Sequence, residues 1–268
     1  MAPTLLSVAV LSLASLCSGS IVPTPYINLT PIIRMPSLNL GTCCGSSPDI
    51  GLAPWLAAQG LPGAGIDTAF GYNDQGNISR GLAALKVARS DVFILSKIDP
   101  TDAMCSGGAA AAVAAVKANN ALLNTAYTDI TLIHWPCGSF GHGAPDPNLT
   151  RTNALWAGLQ QAKQQGLTRA IGISDFDIQQ LGMLKAPQPA LHQHSMTMTK
   201  WQGEPLLDHA LENGYAFEAY SVMRGCAFTD KSVLAAAAAH NVSASQVRDS
   251  HGAVAAATPA HATASRLC

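Results

Sequence analysis

The sequence predicts an α/β fold of the (β/α)8 TIM barrel class, because of its length, its low charge and the alternation of short apolar runs with helical stretches. The chain has 268 residues, of which 48% are hydrophobic and 12% are charged. This length suits one large α/β domain and exceeds that of small domains that need disulfides or metals to fold. Fifteen basic and sixteen acidic residues give a net charge of -1. A nucleic acid is therefore not expected as a partner.

Eight short apolar runs are predicted to be strands, and helical stretches separate them. The predicted strands are residues 38–42, 65–69, 92–97, 130–134, 169–174, 190–193, 216–220 and, with the weakest pattern, 253–257. The helix candidates include residues 108–123, 154–165 and 205–212, and the last two are followed by Gly166 and Gly214, as is common after a helix. Continuous apolar strands separated by helices indicate parallel strands buried on both faces. Eight of them in this length predict a barrel.

The first twenty residues have the composition of a secretory leader. An apolar run from Leu5 to Cys17 precedes the small residues 18–20, which predicts a signal peptide at residues 1–20. No Lys or Arg precedes the run, so a short buried helix is the alternative. No later segment reaches the length of a membrane span. We expect the secretory pathway or the extracellular space, with the cytoplasm as the alternative.

Two further sequence features concern modification and metal binding. Sequons for N-glycosylation occur at four positions, Asn28, Asn77, Asn148 and Asn241, and they are compatible with secretion. The seven cysteines form no C-x-x-C pair and no metal-ligand spacing, so we expect neither a disulfide framework nor a metal site. His192 and His194 lie on one face of a predicted strand, but no third ligand accompanies them, and ordinary strand side chains are the favoured interpretation.

Polar residues are concentrated at the carboxyl ends of the predicted strands. In a barrel these ends meet at one mouth, where active sites of this fold are built. One site is therefore predicted. Its residues are Asp67, Tyr72 in the following loop, Lys97, His134, Ser174, Gln193 and Tyr220.

These residue types suit the protonation of an oxygen that develops negative charge. A Tyr is a useful acid near neutral pH when its pKa, about 10 if unperturbed, is lowered. The ammonium of Lys97 would lower it, and Asp67 would pair with the buried Lys97. His134 would hydrogen-bond a substrate oxygen. A carbonyl oxygen develops such a charge when hydride reaches its carbon, so a hydride-donating cofactor is implied.

Six segments, in order and with approximate spacing, resemble the aldo-keto reductase family. Their most specific motifs are D-T-A-x-x-Y at residues 67–72, the strand-end Lys97, and I-H-W-P at residues 133–136, within a resemblance that covers roughly residues 32 to 266. The segments are residues 34–42, 65–72, 93–97, 132–136, 169–174 and 219–221. Members of this family are NADPH-dependent carbonyl reductases on a (β/α)8 barrel. The resemblance implies Tyr72 as the acid, Lys97 and Asp67 as its tuning pair, and His134 as the orienting group for a small-molecule carbonyl substrate.

The same resemblance implies a cofactor site for NADPH, with NADH as a possible replacement. Ser174 and Gln193 would contact the nicotinamide carboxamide, and Tyr220, followed by Ser221, would stack on the ring. Asp175 stands where the family usually has Asn, and an ionised Asp accepts hydrogen bonds but cannot donate them.

The resemblance also identifies two wall residues of the substrate pocket and one phosphate-binding residue. Trp135 would line the substrate pocket, and Cys43 stands where many members have Trp. Residues 258–266 resemble the segment that binds the adenosine 2′-phosphate, with Arg266 in place of the family's Arg and Ala260 where Lys is usual.

The carboxyl end of the chain differs from the family pattern. The barrel, placed at residues 32–268, is expected to be truncated after its eighth strand and to lack the eighth helix. Two other functions are therefore considered beside a working reductase. One is a degenerate barrel that binds nucleotide or a protein partner without turnover, and the other is a truncated, inactive product.

Overall fold

The computed structural model describes residues 25–43, 48–196, 204–222, 228–245 and 247, and a curled parallel sheet forms its centre. Within the described residues this sheet has seven strands in sequential order. They are β3 (Asn39–Gly41), β4 (Ala64–Asp67), β5 (Val92–Ile98), β6 (Thr128–Ile133), β7 (Thr168–Ser174), β8 (Leu191–Ser195) and β9 (Ala216–Tyr220). The predicted (β/α)8 class is confirmed.

Three predictions fall on residues that the structure does not describe. The eighth strand at residues 253–257, the chain end after it and the signal peptide at residues 1–20 all lie outside the described residues.

Helices follow most strands, and the predicted helix ends agree with the backbone. The helices are α1 (Pro48–Gln59), α2 (Gln75–Ala84), α3 (Asp102–Leu122), α4 (Thr150–Gln164), α5 (Ile178–Met183), α6 (Glu204–Asn213) and α7 (Lys231–His240). Gly166 follows α4 with φ 73° and Gly214 follows α6 with φ 75°. Both adopt the left-handed conformation that ends helices at glycine, as predicted.

An antiparallel hairpin precedes the sheet, and the sequence patterns did not indicate it. Its strands are β1 (Tyr26–Thr30) and β2 (Ile33–Pro36). Alternate hairpin residues, including Ile27 and Met35, are buried against side chains from the amino-terminal parts of the sheet strands, such as Phe93 and Ile130. The hairpin therefore covers the amino end of the barrel, opposite the predicted mouth.

The parallel strands are buried on both faces, as their apolar runs predict. Every residue of β5 and β6 is buried. On the outer face α3 and α4 pack closely, because Gly158 of α4 leaves no side chain between them. A Cβ at Gly158 would lie 2.5 Å from the carbonyl oxygen of Ala109. The packed helices and strands hold the carboxyl ends of the sheet in fixed positions.

A buried carboxylate joins three neighbouring strands. Asp129 of β6 accepts hydrogen bonds from the Ile94 amide of β5 at 2.9 Å and from Arg169 of β7 at 2.9 Å. Arg89 contacts the same carboxylate at 2.7 Å. Charge-assisted hydrogen bonds of this kind are stronger than neutral ones, so they fix the register of β5, β6 and β7.

A disulfide links α3 to the segment that follows β6. Cys105 and Cys137 are buried and bonded, with their Cα atoms 6.0 Å apart. Cys43 is also disulfide-bonded. The expectation that no disulfide framework exists is therefore wrong. Spacing along the sequence gave no indication, because the two cysteines meet only where the start of α3 and the end of β6 converge at the barrel mouth.

We expect loss of the Cys105–Cys137 bond to destabilise the protein by about 3 to 4 kcal/mol, because the bond closes a loop with a sequence separation of 32. Urea unfolding of a Cys105→Ala/Cys137→Ala variant measures this loss. A Cys105→Val/Cys137→Val variant is the control, since it fills more of the vacated volume and lacks the same bond. If only the Ala variant loses stability, the effect comes from packing and not from the bond.

Candidate active site

The carboxyl ends of the strands surround a cavity of about 620 Å³. This volume is in the range of small-molecule sites. A smaller cavity of about 250 Å³ lies elsewhere, beside the segment between α5 and β8. The polar residues predicted to share one mouth are brought together here. The lining residues are Gly41, Thr42, Cys43, Asp67, Gly71, Tyr72, Asp99, His134, Trp135, Phe140, Ser174, Asp175, Gln193, Tyr220 and Ser221.

Lys97 and Asp67 form an ion pair beneath Tyr72. The Lys97 side chain is 1% exposed, its Nζ contacts Asp67 Oδ1, and it also donates to the Thr68 carbonyl at 3.3 Å. Burial alone would lower the pKa of Lys97, but the negative charge of Asp67 and the neighbouring Tyr72 raise it above the usual value. The ammonium therefore stays charged, 5.2 Å from the centre of the Tyr72 ring.

The pKa of Tyr72 differs from the sequence-based expectation. Burial raises the pKa of the hydroxyl more than Lys97 lowers it, and Asp67 and Asp99 raise it further. The expected net lowering is wrong, because the sequence identifies the neighbouring charges but not the loss of solvent around the ring. The hydroxyl keeps its proton at neutral pH, which is the state of a proton donor.

His134 lies between Tyr72 and a carboxylate that the sequence analysis missed. The Tyr72 hydroxyl is 3.4 Å from Nε2 of His134. On the other side of the ring, Nδ1 is 2.5 Å from Oδ1 of Asp99. Asp99 lies two residues after Lys97, and the alternation of side chains along a strand was the signal that could have placed both at the mouth.

A second missed carboxylate, Glu218, lies behind the ion pair. Gln193 donates through Nε2 to Asp67 Oδ2 and to Glu218 Oε2, each at 2.8 Å. Asn39 donates to Glu218 Oε1 at 2.7 Å. Burial raises the pKa of Glu218 to about 7, and nearby Asp67 adds to the rise. Glu218 lies two residues before Tyr220, so the same alternation of side chains could have placed it.

The side chains expected to contact a nicotinamide all line the cavity. Tyr220 donates its hydroxyl to Asp175, at 2.8 and 3.0 Å from the two carboxylate oxygens. Burial raises the pKa of Asp175, whereas this hydrogen bond opposes the rise. The Ser174 hydroxyl is buried and has no hydrogen-bond partner among the described residues. Asp175 thus fixes the position of Tyr220. The presence of Asp where the family usually has Asn did not by itself indicate this role.

Aromatic side chains also line the cavity. The Trp135 ring stacks on His142 at 5.2 Å between centroids and meets Phe140 edge-on at 5.8 Å. Cys43 lines the cavity but is disulfide-bonded, so it presents no thiol. Arg266 and the rest of the expected phosphate-binding segment lie outside the described residues.

The residues considered for metal binding do not form a cluster. In the described ranges, no group of three His, Cys, Asp or Glu side chains is placed to hold a metal ion. His192 and His194 lie beside each other with ring centroids 5.8 Å apart, and burial lowers the pKa of His192 to about 3. A search of the same ranges for a helix with the length and apolar character to span a membrane finds none.

Comparisons with known proteins agree with this geometry. The sequence model of the Aldo/keto reductase family matches residues 63–267. An aldo-keto reductase of Mycolicibacterium vanbaalenii is 30% identical over 240 residues, which are 86% of this chain and 78% of that protein. For two relatives, from Mycobacterium ulcerans and Mycobacterium marinum, the match spans about half of their length (49%).

Solved structures show the same fold. A Bombyx mori aldo-keto reductase (AKR2E4) in complex with NADP superposes with a TM-score of 0.71 at 28% identity, over 85% of this chain and 79% of that chain. An aldo/keto reductase from Brucella melitensis has a TM-score of 0.70 at 25% identity, over 85% and 86% of the two chains. Because the family match covers more than half of the sequence, the protein belongs to the aldo/keto reductase family.

Proposed function

We propose that the protein reduces an aldehyde or ketone to an alcohol with NADPH, and that Tyr72 is the general acid. The observation that carries the proposal is the position of the Tyr72 hydroxyl. Tyr72 lines the cavity, its hydroxyl lies 3.4 Å from Nε2 of His134, and the ammonium of Lys97 lies 5.2 Å from the centre of its ring. Family membership supports an NAD(P)H-dependent oxidoreductase that acts on carbonyl groups.

The cavity wall fits a nicotinamide group. The Ser174 hydroxyl has no hydrogen-bond partner in the part of the chain that the structure describes, and it suits a carboxamide. The two hydrogen bonds from Gln193 Nε2 fix the orientation of the Gln193 side-chain amide. Tyr220 is anchored by Asp175 and lines the cavity. The Bombyx mori relative was solved with NADP, which supports the same cofactor here. A reduced nicotinamide, when bound, supplies hydride to the carbonyl carbon.

The side chains around Tyr72 supply the proton and stabilise the charge left behind. As the carbonyl oxygen becomes negative, the Tyr72 hydroxyl donates its proton to that oxygen. The ammonium of Lys97 then stabilises the phenolate, and Asp67 keeps Lys97 charged. The pKa of Tyr72 is raised by burial, so the donor is fully protonated before each turnover.

We infer that the substrate is a neutral carbonyl compound with an aromatic or bulky apolar group. Trp135 and Phe140 provide an apolar wall next to His134, and aromatic groups pack well on such surfaces. The carboxylates of Asp99 and Asp175 also line the cavity, and they would repel an anionic substrate.

We further propose that the chain folds in the secretory pathway. Disulfides persist in oxidising compartments and are rare in the cytosol, and both the Cys105–Cys137 bond and the bonded Cys43 need such conditions. Three of the four sequon asparagines, Asn28, Asn148 and Asn241, are exposed. Asn77 is half-buried in α2, where its oxygen accepts a hydrogen bond from Arg80.

Replacing Tyr72 by Phe is expected to lower the rate of aldehyde reduction by about 10²- to 10⁴-fold, because the variant lacks the proton donor. Steady-state reduction of benzaldehyde with NADPH measures the rate, and fluorescence titration should show unchanged NADPH binding. Tyr127→Phe, which removes a hydroxyl outside the cavity, is the matched control and should keep full activity. A Tyr72→Phe enzyme close to the parent rate would show that another group is the acid.

Replacing Lys97 by Met is expected to reduce the rate strongly and to shift its pH dependence. Reduction needs a protonated Tyr72, so the rate falls as the pH rises past the pKa of this hydroxyl. Lys97 lowers that pKa, and its removal should therefore move the fall to higher pH. Rate profiles that extend from neutral pH to well above the usual Tyr value of about 10 test this, with the exposed Lys163→Met as control. A shift to lower pH would contradict the assigned role of Lys97.

Protein purified from a eukaryotic secretory host should carry N-linked glycans at exposed sequons. Its intact mass should fall after treatment with a peptide N-glycosidase. Asn148→Gln should remove one glycan, whereas Asn77→Gln should leave the mass of the attached glycans unchanged, because Asn77 is half-buried within a helix. A secreted protein whose mass does not respond to the enzyme would contradict the glycan assignment, and retention of the chain inside the cell would contradict the location.

A further inference from the structure

Proton donation from Tyr72 does not by itself explain the close contact between Asp99 and His134. Oδ1 of Asp99 lies 2.5 Å from Nδ1 of His134, and the two side chains are only 11% and 13% exposed. Tyr72 lies on the opposite side of the imidazole, 3.4 Å from Nε2. All three side chains line the cavity, and they form a continuous series of contacts from Tyr72 through His134 to Asp99.

The chemistry of the groups fixes which nitrogen of His134 carries the first proton. An ionised carboxylate accepts hydrogen bonds and cannot donate them. The Nδ1 atom must therefore carry the hydrogen in its contact with Asp99. Nε2, the nitrogen next to the Tyr72 hydroxyl, is then the atom through which the ring can exchange a proton with Tyr72.

The backbone next to Tyr72 leaves room for this carboxylate. A Cβ built on Gly71 would lie 2.1 Å from Oδ2 of Asp99, so any side chain at position 71 would displace Asp99. Gly71 and Asp99 come from different segments of the chain, and the position of Asp99 is compatible only with glycine at position 71. This fit is independent of the hydrogen bond to His134, and it supports the placement of Asp99 at the site.

We propose that Asp99 is a positioning residue that holds Nδ1–H of His134 and so directs proton delivery through Nε2 to Tyr72. The proposal rests on the proposed carbonyl reduction. Hydride from a reduced nicotinamide reaches the carbonyl carbon, and the oxygen takes the Tyr72 proton to give the alcohol. The Tyr72 phenolate then takes the Nε2 proton of protonated His134. The ring remains neutral with Nδ1–H on Asp99, and water returns a proton to Nε2 before the next turnover.

The tautomer of His134 gives a test that needs no turnover. Nitrogen-15 NMR of the full chain, assigned by comparison with His134→Gln, should show a protonated Nδ1 and an unprotonated Nε2 in the neutral ring. In Asp99→Asn the amide can accept from Nδ1–H or donate to Nδ1, so we expect a mixture of the two tautomers. A wild-type ring protonated at Nε2, or an Asp99→Asn ring that keeps one tautomer, would overturn the proposal.

Kinetics test the consequence for the reaction. Asp99→Asn should lower kcat by about 10- to 100-fold, less than the loss of the acid itself, while the Kd for NADPH stays within about twofold, since Asp99 acts only on the proton-transfer step. Asp102→Asn is the matched control, because Asp102 lies nearby, is exposed and pairs only loosely with Arg151 at 3.4 Å. The control should keep the parental kcat. An unchanged kcat in Asp99→Asn would overturn the role.

A double-mutant cycle separates positioning from a general structural effect. If Asp99 acts through His134, then Asp99→Asn should lower kcat by less than about twofold when added to His134→Gln, because the two changes remove the same function. If Asp99→Asn lowers kcat as much in the His134→Gln enzyme as in the parent enzyme, then Asp99 supports the fold instead. If the parent enzyme reduces no carbonyl compound, the proposed function fails, and the NMR result still decides the tautomer.

Discussion

The buried ion pair between Lys97 and Asp67 is the contact on which the rest of the cavity depends. A buried ammonium keeps its charge only beside a carboxylate, and Asp67 is in turn held by Gln193. Gln193 also binds Glu218, which binds Asn39. These contacts connect strands from both ends of the described sheet. Removal of either Lys97 or Asp67 would leave the other buried charge uncompensated, which typically lowers the free energy of unfolding by about 3 to 5 kcal/mol.

Much of the fold could be predicted from the sequence, because strands buried on both faces leave continuous apolar runs that end in polar residues. The positions of seven strands and the glycines that end two helices follow from such local patterns. The hairpin β1–β2 did not follow, since its alternation is short and its apolar face finds a partner only when the sheet has curled. The Cys105–Cys137 bond was missed for a similar reason, as it depends on the meeting of two distant segments.

Most residues of the candidate site could be predicted from the sequence, but the pKa of Tyr72 could not. Strand ends and a family resemblance brought Tyr72, Lys97 and His134 together in advance, whereas Asp99 and Glu218 were overlooked beside them. The sign of each neighbouring charge on Tyr72 can be read from residue types. The size of the desolvation effect cannot, because it depends on how completely the surrounding chain excludes water, and this effect decides the pKa. Similarly, the presence of Asp175 where the family usually has Asn is explained only by its hydrogen bond with Tyr220.

The disulfide at Cys137 separates two parts of the mouth that are adjacent in the chain. Cys137 follows His134 by three residues, and its amide also donates to Thr152 at 3.0 Å. The anchor therefore lies between the imidazole and the long connection that carries Phe140 and His142. Loop grafting at residues 138–149 can exploit this division, because an exchanged loop would alter the shape of the entrance while the anchored end of β6 keeps its place. The molecule thus offers a scaffold in which the shape of the entrance can be engineered apart from the placement of His134 and Tyr72.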